Sequence, residues 1–539
     1  MQKDKKFYDN FFLSHGSDIH NDPVRFAEIA KLCKGRVLDV ACGTGTLSDY
    51  YNNVYFGVDI SDVAIKHAKS IRRKTANFAV ADVLNFDFKD YEDIGTIVIA
   101  EFLEHVESAS SLFDNLNKHL KPGTRLIISV PNGDRIPDES HCREFTVPQL
   151  RKGFSPFGRV RFHNYAGFNA RILMSVDIGE KAEDLIALVL PVKNEVEGLE
   201  TAILSCIDYV DQIVVSVDTK SYDQTLNMAR RYADVVKKYK WEDSFAKARM
   251  FAQEGISSKW CLQLDGHEYV KTFPIDEIRK LGDYDCAEID IVLESGFTFH
   301  FPRLVRNYVK WGGDVHNYPI VKSRCPLSSL IIQHDREHLQ SKEAIKLRDE
   351  QRKKMVAEIF NAELKKDKRK ARPYFYLGQQ SFIEKNFKQA IKFYKKYLKY
   401  SKHKGERWLI CLNLAQSHVF LGHHLRALWA LRDADKEISN RWEIHKFRGV
   451  VYSMLKKYDL AVKSFVESLS INPGHFTYCP EKRNDSETWD FIAHSLCHLD
   501  KLTEAKFAWK HAVELEMAKP KEERDQVRLK LINSMLDDK

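Results

Sequence analysis

Over the first 335 residues, short runs of consecutive apolar residues alternate with amphipathic stretches. The runs RVLDVA, VYFGVDI, FAVADV, IGTIVIA and RLIISVP are too uniformly apolar for strands with one wet face. They predict parallel strands covered on both sides, the α/β pattern. A second series of the same kind begins at LIALVLPVKN (185–194) and continues through QIVVSVD (212–218) and WCLQLD (260–265). The charged stretch DIGEKAED places the boundary between the two series near 176–184.

Strands become scarce after residue 335. Residues 336–372 are highly charged, with widely spaced apolar positions, and predict a linking helix. A repeat follows. Gly378, Ala415, Gly449 and Ala493 are each matched twelve residues later by Ala390, Ala427, Ala461 and Ala505, and four residues further on by Tyr394, Leu431, Phe465 and Trp509. A small residue on each helix lets paired helices approach, and the large one fills the space between neighbouring pairs. The intervals of 37, 34 and 44 place an insertion around 473–485. This pattern resembles the tetratricopeptide repeat; an ordinary helical bundle is the alternative.

The chain has 539 residues, 44% hydrophobic and 30% charged, as in globular proteins of several domains. No run approaches the roughly 18 apolar residues needed to cross a bilayer. The charged N-terminus MQKDKKFYDNFF has no signal-peptide core. The ten cysteines form no CxxC pair, which reads as reduced thiols in a cytoplasmic protein. A formal charge of +8 permits a phosphorylated or nucleic-acid partner without arguing for one. The basic run KKDKRKAR (365–372) reads equally as a solvated helix end.

Two strand ends carry candidate chemistry. Val37–Val40 delivers Asp39 and then Cys42, Gly43, Thr44 and Gly45 into a turn where glycine permits close ligand approach. Asp59 and Asp82 end the next two strands, where a doubly wound sheet meets a nucleotide. The run CGTGTL lacks the full GxGxxG fingerprint, which counts against a dinucleotide. With DVACGTG, GVDIS, AD (81–82), FLEHV (102–106), LKPGTRLIISVPNG and HCREFT (141–146), residues 20–175 resemble the class I S-adenosylmethionine-dependent methyltransferases. The resemblance implies that the Gly43–Gly45 turn holds the methionine part of S-adenosyl-L-methionine, Asp59 the ribose and Asp82 the adenine, with Asp39 also among the donor-binding residues. It makes His105 or His141 the candidate base.

In the second series, Asn194 and Glu195 follow a strand, Asp218 ends the next, and Asp265-Gly266-His267-Glu268 ends a third. An Asp-x-His pair on a turn suits a divalent ion that bridges two phosphates. With PVKNE, VDQIVVSVDTKSYDQT, DSFAKAR, WCLQLDGHE, PRLVRN and GGDVHNY, residues 185–335 resemble the family 2, GT-A-type glycosyltransferases. That resemblance places Asn194, Glu195, Asp218, Arg249 and Asp265 on a nucleotide-sugar donor. It makes Asp265, His267 and His316 metal ligands. His267 stands where most relatives have aspartate, which either favours Mn²⁺ over Mg²⁺ or marks a site with weakened metal dependence.

The expected architecture is α/β plus all-α: a Rossmann-like methyltransferase domain at 1–178, a GT-A-like domain at 179–340, a helical linker at 341–371 and repeats at 372–539. The expected activity is transfer of a sugar and a methyl group to a glycan or glycoprotein acceptor, with the repeats binding a protein partner or a second copy. The alternatives are the same two chemistries on nucleic acid, and a repeat scaffold with one or both catalytic domains inactive.

Overall fold

The structure, a computed structural model, describes residues 3–15, 22–86, 91, 93–117, 120–294, 296, 298–315, 317–336, 342–402, 404–471, 483–521 and 524–537. It forms two compact units, residues 1–347 and 348–539.

The first unit holds two sheets. Strands β1 (Arg36–Val40), β2 (Tyr55–Asp59), β3 (Ala76–Val80), β4 (Ile94–Ala100), β5 (Arg125–Pro131), β6 (Gly158–Phe162) and β7 (Arg171–Ile178) lie in the order β3-β2-β1-β4-β5-β7-β6. β3 to β5 across the sheet are parallel, and β7 runs antiparallel to both of its neighbours. The chain leaves β1 for β2 on one side and reaches β4 on the other. That reversal opens a crevice at the C-terminal ends of β1 and β4, where sheets of this kind bind ligands.

The second sheet contains β8 (Ile186–Val192), β9 (Gln212–Asp218), β10 (Val235–Tyr239), β11 (Trp260–Gln263), β12 (Glu268–Thr272), β13 (Cys286–Val292) and β14 (Thr298–Arg306). Beyond a small ribbon of β15 (Lys310–Gly312) and β16 (Tyr318–Ile320), β17 (Arg324–His334) completes it. The order is β10-β9-β8-β11-β14-β13-β17-β12, with β10, β9, β8 and β11 parallel and β14 antiparallel to β11. Its strand order also reverses at the first strand. Leu38, Ile128 and Val176 of the first sheet belong to the same buried apolar cluster as Leu188, Trp260 and Ile332 of the second. The two sheets therefore share a core, and contacts between them are part of one folded unit.

The second unit is built of helical hairpins in series. Its hairpins are Ala371–Ile383 with Phe387–Tyr400, Lys404–Phe420 with His424–Glu437, Trp442–Met454 with Tyr458–Ser470, and Asp485–Cys497 with Leu502–Met517. The helix Lys342–Lys366 precedes them and Gln526–Asp537 follows. The repeat positions meet as packing pairs. A Cβ on Gly378 would lie 2.5 Å from the Tyr394 ring, and one on Gly449 would lie 2.6 Å from the Phe465 ring. Ala390, Ala427, Ala461 and Ala505 are wholly buried. Most of the insertion at 473–485 lies outside the described residues.

Each hairpin turn carries one left-handed residue at the same repeat position: Lys385 (φ 59°), Gly422 (φ 75°), Lys456 (φ 56°) and Asp500 (φ 60°). Only one of the four is glycine, although a side chain in this conformation costs about 1–2 kcal/mol. Space around Gly422 is open, so a Cβ there would meet nothing. Gly422→Ala is therefore expected to lower stability by about 1 kcal/mol through the backbone alone. Lys456→Gly should change it by less than half as much, because relief at the turn offsets the added freedom of the unfolded chain. Urea unfolding of the full chain checks both.

Candidate functional site

The turn after β1 is left-handed at Ala41 (φ 58°), Gly43 (φ 53°) and Gly45 (φ 70°). At Gly45 a side chain is excluded twice over, since a Cβ would lie 2.3 Å from the Phe78 ring. Asp59, at the end of β2, holds this turn: its carboxylate accepts from the Gly43 N–H at 2.8 Å and the Ser61 N–H at 2.9 Å. Burial raises the Asp59 carboxyl above the ordinary range against those bonds. Asp82, beyond β3, lines a cleft together with Tyr8, Ala41, Ile60, Leu84 and His105. Asp39 lies apart from that lining. It is buried and accepts from the Tyr55 hydroxyl at 2.5 Å, with its carboxyl pushed up to about 7 by desolvation.

At the end of β4 the run Glu101-Phe102-Leu103-Glu104-His105 contains two carboxylates with opposite surroundings. Glu101 accepts from the Arg171 Nε–H at 2.9 Å and the Ser129 hydroxyl at 2.6 Å, and its carboxylate lies 3.0 Å from Arg25. Glu104 is 1% exposed, and neither of its carboxylate oxygens has a hydrogen-bond partner among the described residues. Burial, with the nearby Glu101 charge, lifts Glu104 well above the carboxylate range. His105 lies against the loop that follows β5: its Nδ1 is 3.0 Å from the Ser140 hydroxyl, and its ring is 5.0 Å from that of His141. Burial and His141 lower its pKa, so the imidazole is neutral at pH 7.

Glu104, His105 and His141 each offer one donor atom, all within 4.8 Å of one another. This mixed carboxylate–imidazole set has the chemistry of a divalent transition-ion site. The sequence marks the two histidines as candidate bases. It offers no reason to see Glu104 as more than a helix-end residue, because its isolation is a tertiary fact.

The second sheet also gathers its candidates at strand ends. Asn194 (φ 52°) accepts from the Tyr222 N–H at 3.0 Å, and the Glu195 N–H donates to the Thr225 hydroxyl at 2.8 Å. Asp218 is buried, with Lys193 Nζ 3.6 Å away. Asp265 is held by two buried arginines: Arg249 donates to Oδ1 at 2.7 Å and Arg303 to Oδ2 at 3.1 Å, while Arg303 also donates to Glu268 at 2.8 Å. Although burial opposes it, the two guanidinium groups keep the Asp265 carboxyl well below its usual range.

His267 Nε2 is 3.1 Å from His334 Nε2. Burial disfavours charge on His267, but Glu195, Asp265 and Glu268 outweigh it and raise the pKa. His334 is driven down to about 4 by burial and by His267. The two imidazoles thus face one another with opposite shifts.

Two arginines compete with the expected divalent metal for the Asp265 carboxylate. A cation needs a free carboxylate and a neutral imidazole. Here both Asp265 oxygens accept from arginine, and His267 Nε2 faces His334. His316, the third expected ligand, lies outside the described residues. Among the described residues the three-donor cluster is the one at Glu104, in the first sheet.

Residues 21–165 match a family model described as a methyltransferase domain. Over 121 residues the chain is 34% identical to a ubiquinone biosynthesis O-methyltransferase of Coxiella burnetii, an alignment covering 21% of this chain and 51% of that protein. Over 131 residues it is 28% identical to the mitochondrial ubiquinone biosynthesis O-methyltransferase of Dictyostelium discoideum, covering 21% and 41%. The chain spans about half the length of the curated relatives it matches. Among solved structures, MamA of Desulfovibrio magneticus aligns with 31% of this chain and 86% of its own, at 18% identity and a TM-score of 0.25. A thermophilic TPR protein of Thermus thermophilus aligns with 36% and 96%, at 18% identity and a TM-score of 0.26. Scores that low carry no argument about fold or partner. The N-terminal part of the chain carries a methyltransferase domain.

Asp39 gives this domain a pH signature. Its folded pKa of about 7 stands above the unfolded value of 3.8, so the folded state holds the proton more tightly. Its effect on stability is complete below about pH 4, is lost as pH rises towards 7, and is flat above that. Asp39→Asn should flatten this part of the profile, as measured by thermal unfolding between pH 4 and 8.

Proposed function

We propose that the first sheet transfers a methyl group from S-adenosyl-L-methionine to a hydroxyl acceptor. The observation that carries this reading is the crevice where strand order reverses. A left-handed glycine turn follows β1 there, Asp59 ends β2 and braces that turn, and Asp82, two residues beyond β3, lines the adjoining cleft. Close backbone at Gly43 and Gly45 admits the methionine part, Asp59 faces the ribose hydroxyls, and Asp82 lies at the adenine end. The bound donor supplies an electrophilic methyl on a sulfonium; the acceptor oxygen attacks it and the C–S bond breaks. His105 and His141 stand at the acceptor side, where a neutral imidazole can take the hydroxyl proton. The buried Glu104 withholds charge until a cation or an imidazolium forms beside it. With a divalent cation bound, the same cluster would polarise the hydroxyl.

The second sheet supports a second reading, sugar transfer from a nucleotide-sugar donor to a glycan or glycoprotein. Asn194, Glu195, Asp218, Arg249 and Asp265 converge at the C-terminal ends of β8, β9 and β11, beside its own reversal of strand order. In this reading Asp218 meets the nucleoside, and the arginine-held Asp265 marks the sugar-phosphate end. The helical repeats would bind a protein or glycan partner.

Calorimetry with S-adenosylhomocysteine tests the first activity. Binding to the wild-type chain is expected, and Asp59→Ala should weaken it by roughly 10–100-fold through lost charge-assisted hydrogen bonds. A wild-type chain that binds neither S-adenosylhomocysteine nor S-adenosylmethionine would refute it. For the second reading, hydrolysis of a panel of nucleotide sugars is measured with Mn²⁺, with Mg²⁺ and with chelator. Turnover that survives chelation is expected, and failure to bind or hydrolyse any donor sinks the sugar-transfer reading.

A further inference from the structure

The loop between β5 and the helix Val147–Phe154, residues 132–146, carries Ser140 and His141 to the methyltransferase cleft. Its inner stretch leans on the β4 end: the Cys142 N–H donates to the Glu104 carbonyl at 2.7 Å, and the Arg143 guanidinium donates to the Leu103 carbonyl at 3.1 Å. Ser140, fixed by Asp138 at 2.5 Å, meets His105. Both ends of the loop, however, are held from the second sheet by a single four-residue segment, 231–234.

At the first end, Arg231 donates to the Asn132 carbonyl at 2.7 Å and to Asp134 at 2.6 Å. Its guanidinium lies against Gly133, where an added Cβ would come within 3.2 Å of it. Tyr232 is wholly buried; its hydroxyl accepts from the Asn132 amide at 2.9 Å and donates to Glu200. Glu200 in turn pairs with Arg135 of the loop at 2.8 Å. At the second end, Arg151, on the helix that the loop leads into, donates to Asp234 at 3.0 Å. Asp234 is itself anchored by the Ile213 N–H of β9 at 2.8 Å.

We propose that the second sheet completes the methyl-acceptor site: Arg231 and Tyr232 are positioning residues that hold the loop 132–146, and with it Ser140 and His141, against His105. This rests on the methyl-transfer reading of the first sheet. The donor side of that site, the turn at 41–45 with Asp59 and Asp82, is built within the first sheet. The acceptor wall is clamped from outside it. A methyltransferase domain cut free near residue 180 would keep its donor turn and lose the clamp.

The test uses the full-length chain with Arg231→Ala, Arg231→Lys and the double variant Arg231→Ala/Tyr232→Phe. Three quantities are read: hydrogen exchange of the 133–146 amides, the rate at which iodoacetamide alkylates Cys142 (followed on its own peptide), and S-adenosylhomocysteine affinity by calorimetry. Loss of the two Arg231 bonds should speed exchange and Cys142 alkylation by about tenfold or more. Donor affinity should stay within twofold, and Arg231→Lys, which keeps one donor on the Asn132 carbonyl, should recover part of the protection. Unchanged protection in the double variant would overturn the proposal. So would loss of donor binding in parallel with loop protection, since the damage would then be general. A wild-type chain that binds no donor refutes the methyl-transfer reading itself, which the loop measurements report on separately.

Discussion

Parallel strands bury both of their faces, and that constraint organises the first unit. Within β1, β4, β5, β8 and β9 almost every side chain is spent on the core. Polar groups can then meet a ligand only where the strands stop. Asp59, Glu101, Asp218 and Asp265 all stand at or just beyond a C-terminal strand end. The shared apolar cluster extends the constraint across both sheets. Because the sheets pack as one body, the loop at the end of a strand in one can be fixed by a helix end in the other.

The two strand-end sites solve the problem of buried charge in opposite ways. Around Asp265 the charges are compensated in place: two arginines, a further carboxylate and a histidine pair leave little demand for an added cation. Around Glu104, among the described residues, no hydrogen bond or ion pair compensates the carboxyl. Desolvation, with the nearby Glu101 charge, lifts its pKa well above the carboxylate range. One site is electrostatically closed and the other is waiting for a partner. That difference sets the two sites apart, although residue types alone make Asp265 and His267 the more conventional ligand pair.

Several elements were legible from local pattern. The strands β1, β2, β4, β5, β8, β9 and β11 coincide with apolar runs dense enough to announce burial, while β3, at the sheet edge, is only half-buried despite its run. The repeat was equally plain, since Gly378 with Tyr394 and Gly449 with Phe465 obey a spacing that the helical period enforces. Among the strands that no apolar run marked, β7 is buried almost throughout, whereas β14 and β17 are covered unevenly. β17 buries residues in an interrupted alternation, and β14 is exposed over its first half and buried over its second. Such strands mix polar and apolar residues as loops do, and only their hydrogen-bonded neighbours identify them. The left-handed turns at Lys385, Lys456 and Asp500 were hidden for a similar reason: the residue type argues against the conformation that the helix pair imposes.

By itself the sequence determined the order and type of the main elements, the residues that end each parallel strand, and the repeat. These depend on chemistry within a few positions along the chain, where periodicity and turn geometry act. Tertiary structure alone decided what those strand-end residues can do. It set Arg249 and Arg303 on Asp265, paired His267 with His334, desolvated Glu104 beside two histidines and laid Arg231 on Gly133. Protonation and ligand capacity follow from desolvation and from charges a few ångströms away. Here those neighbours come from distant segments, which no local pattern specifies.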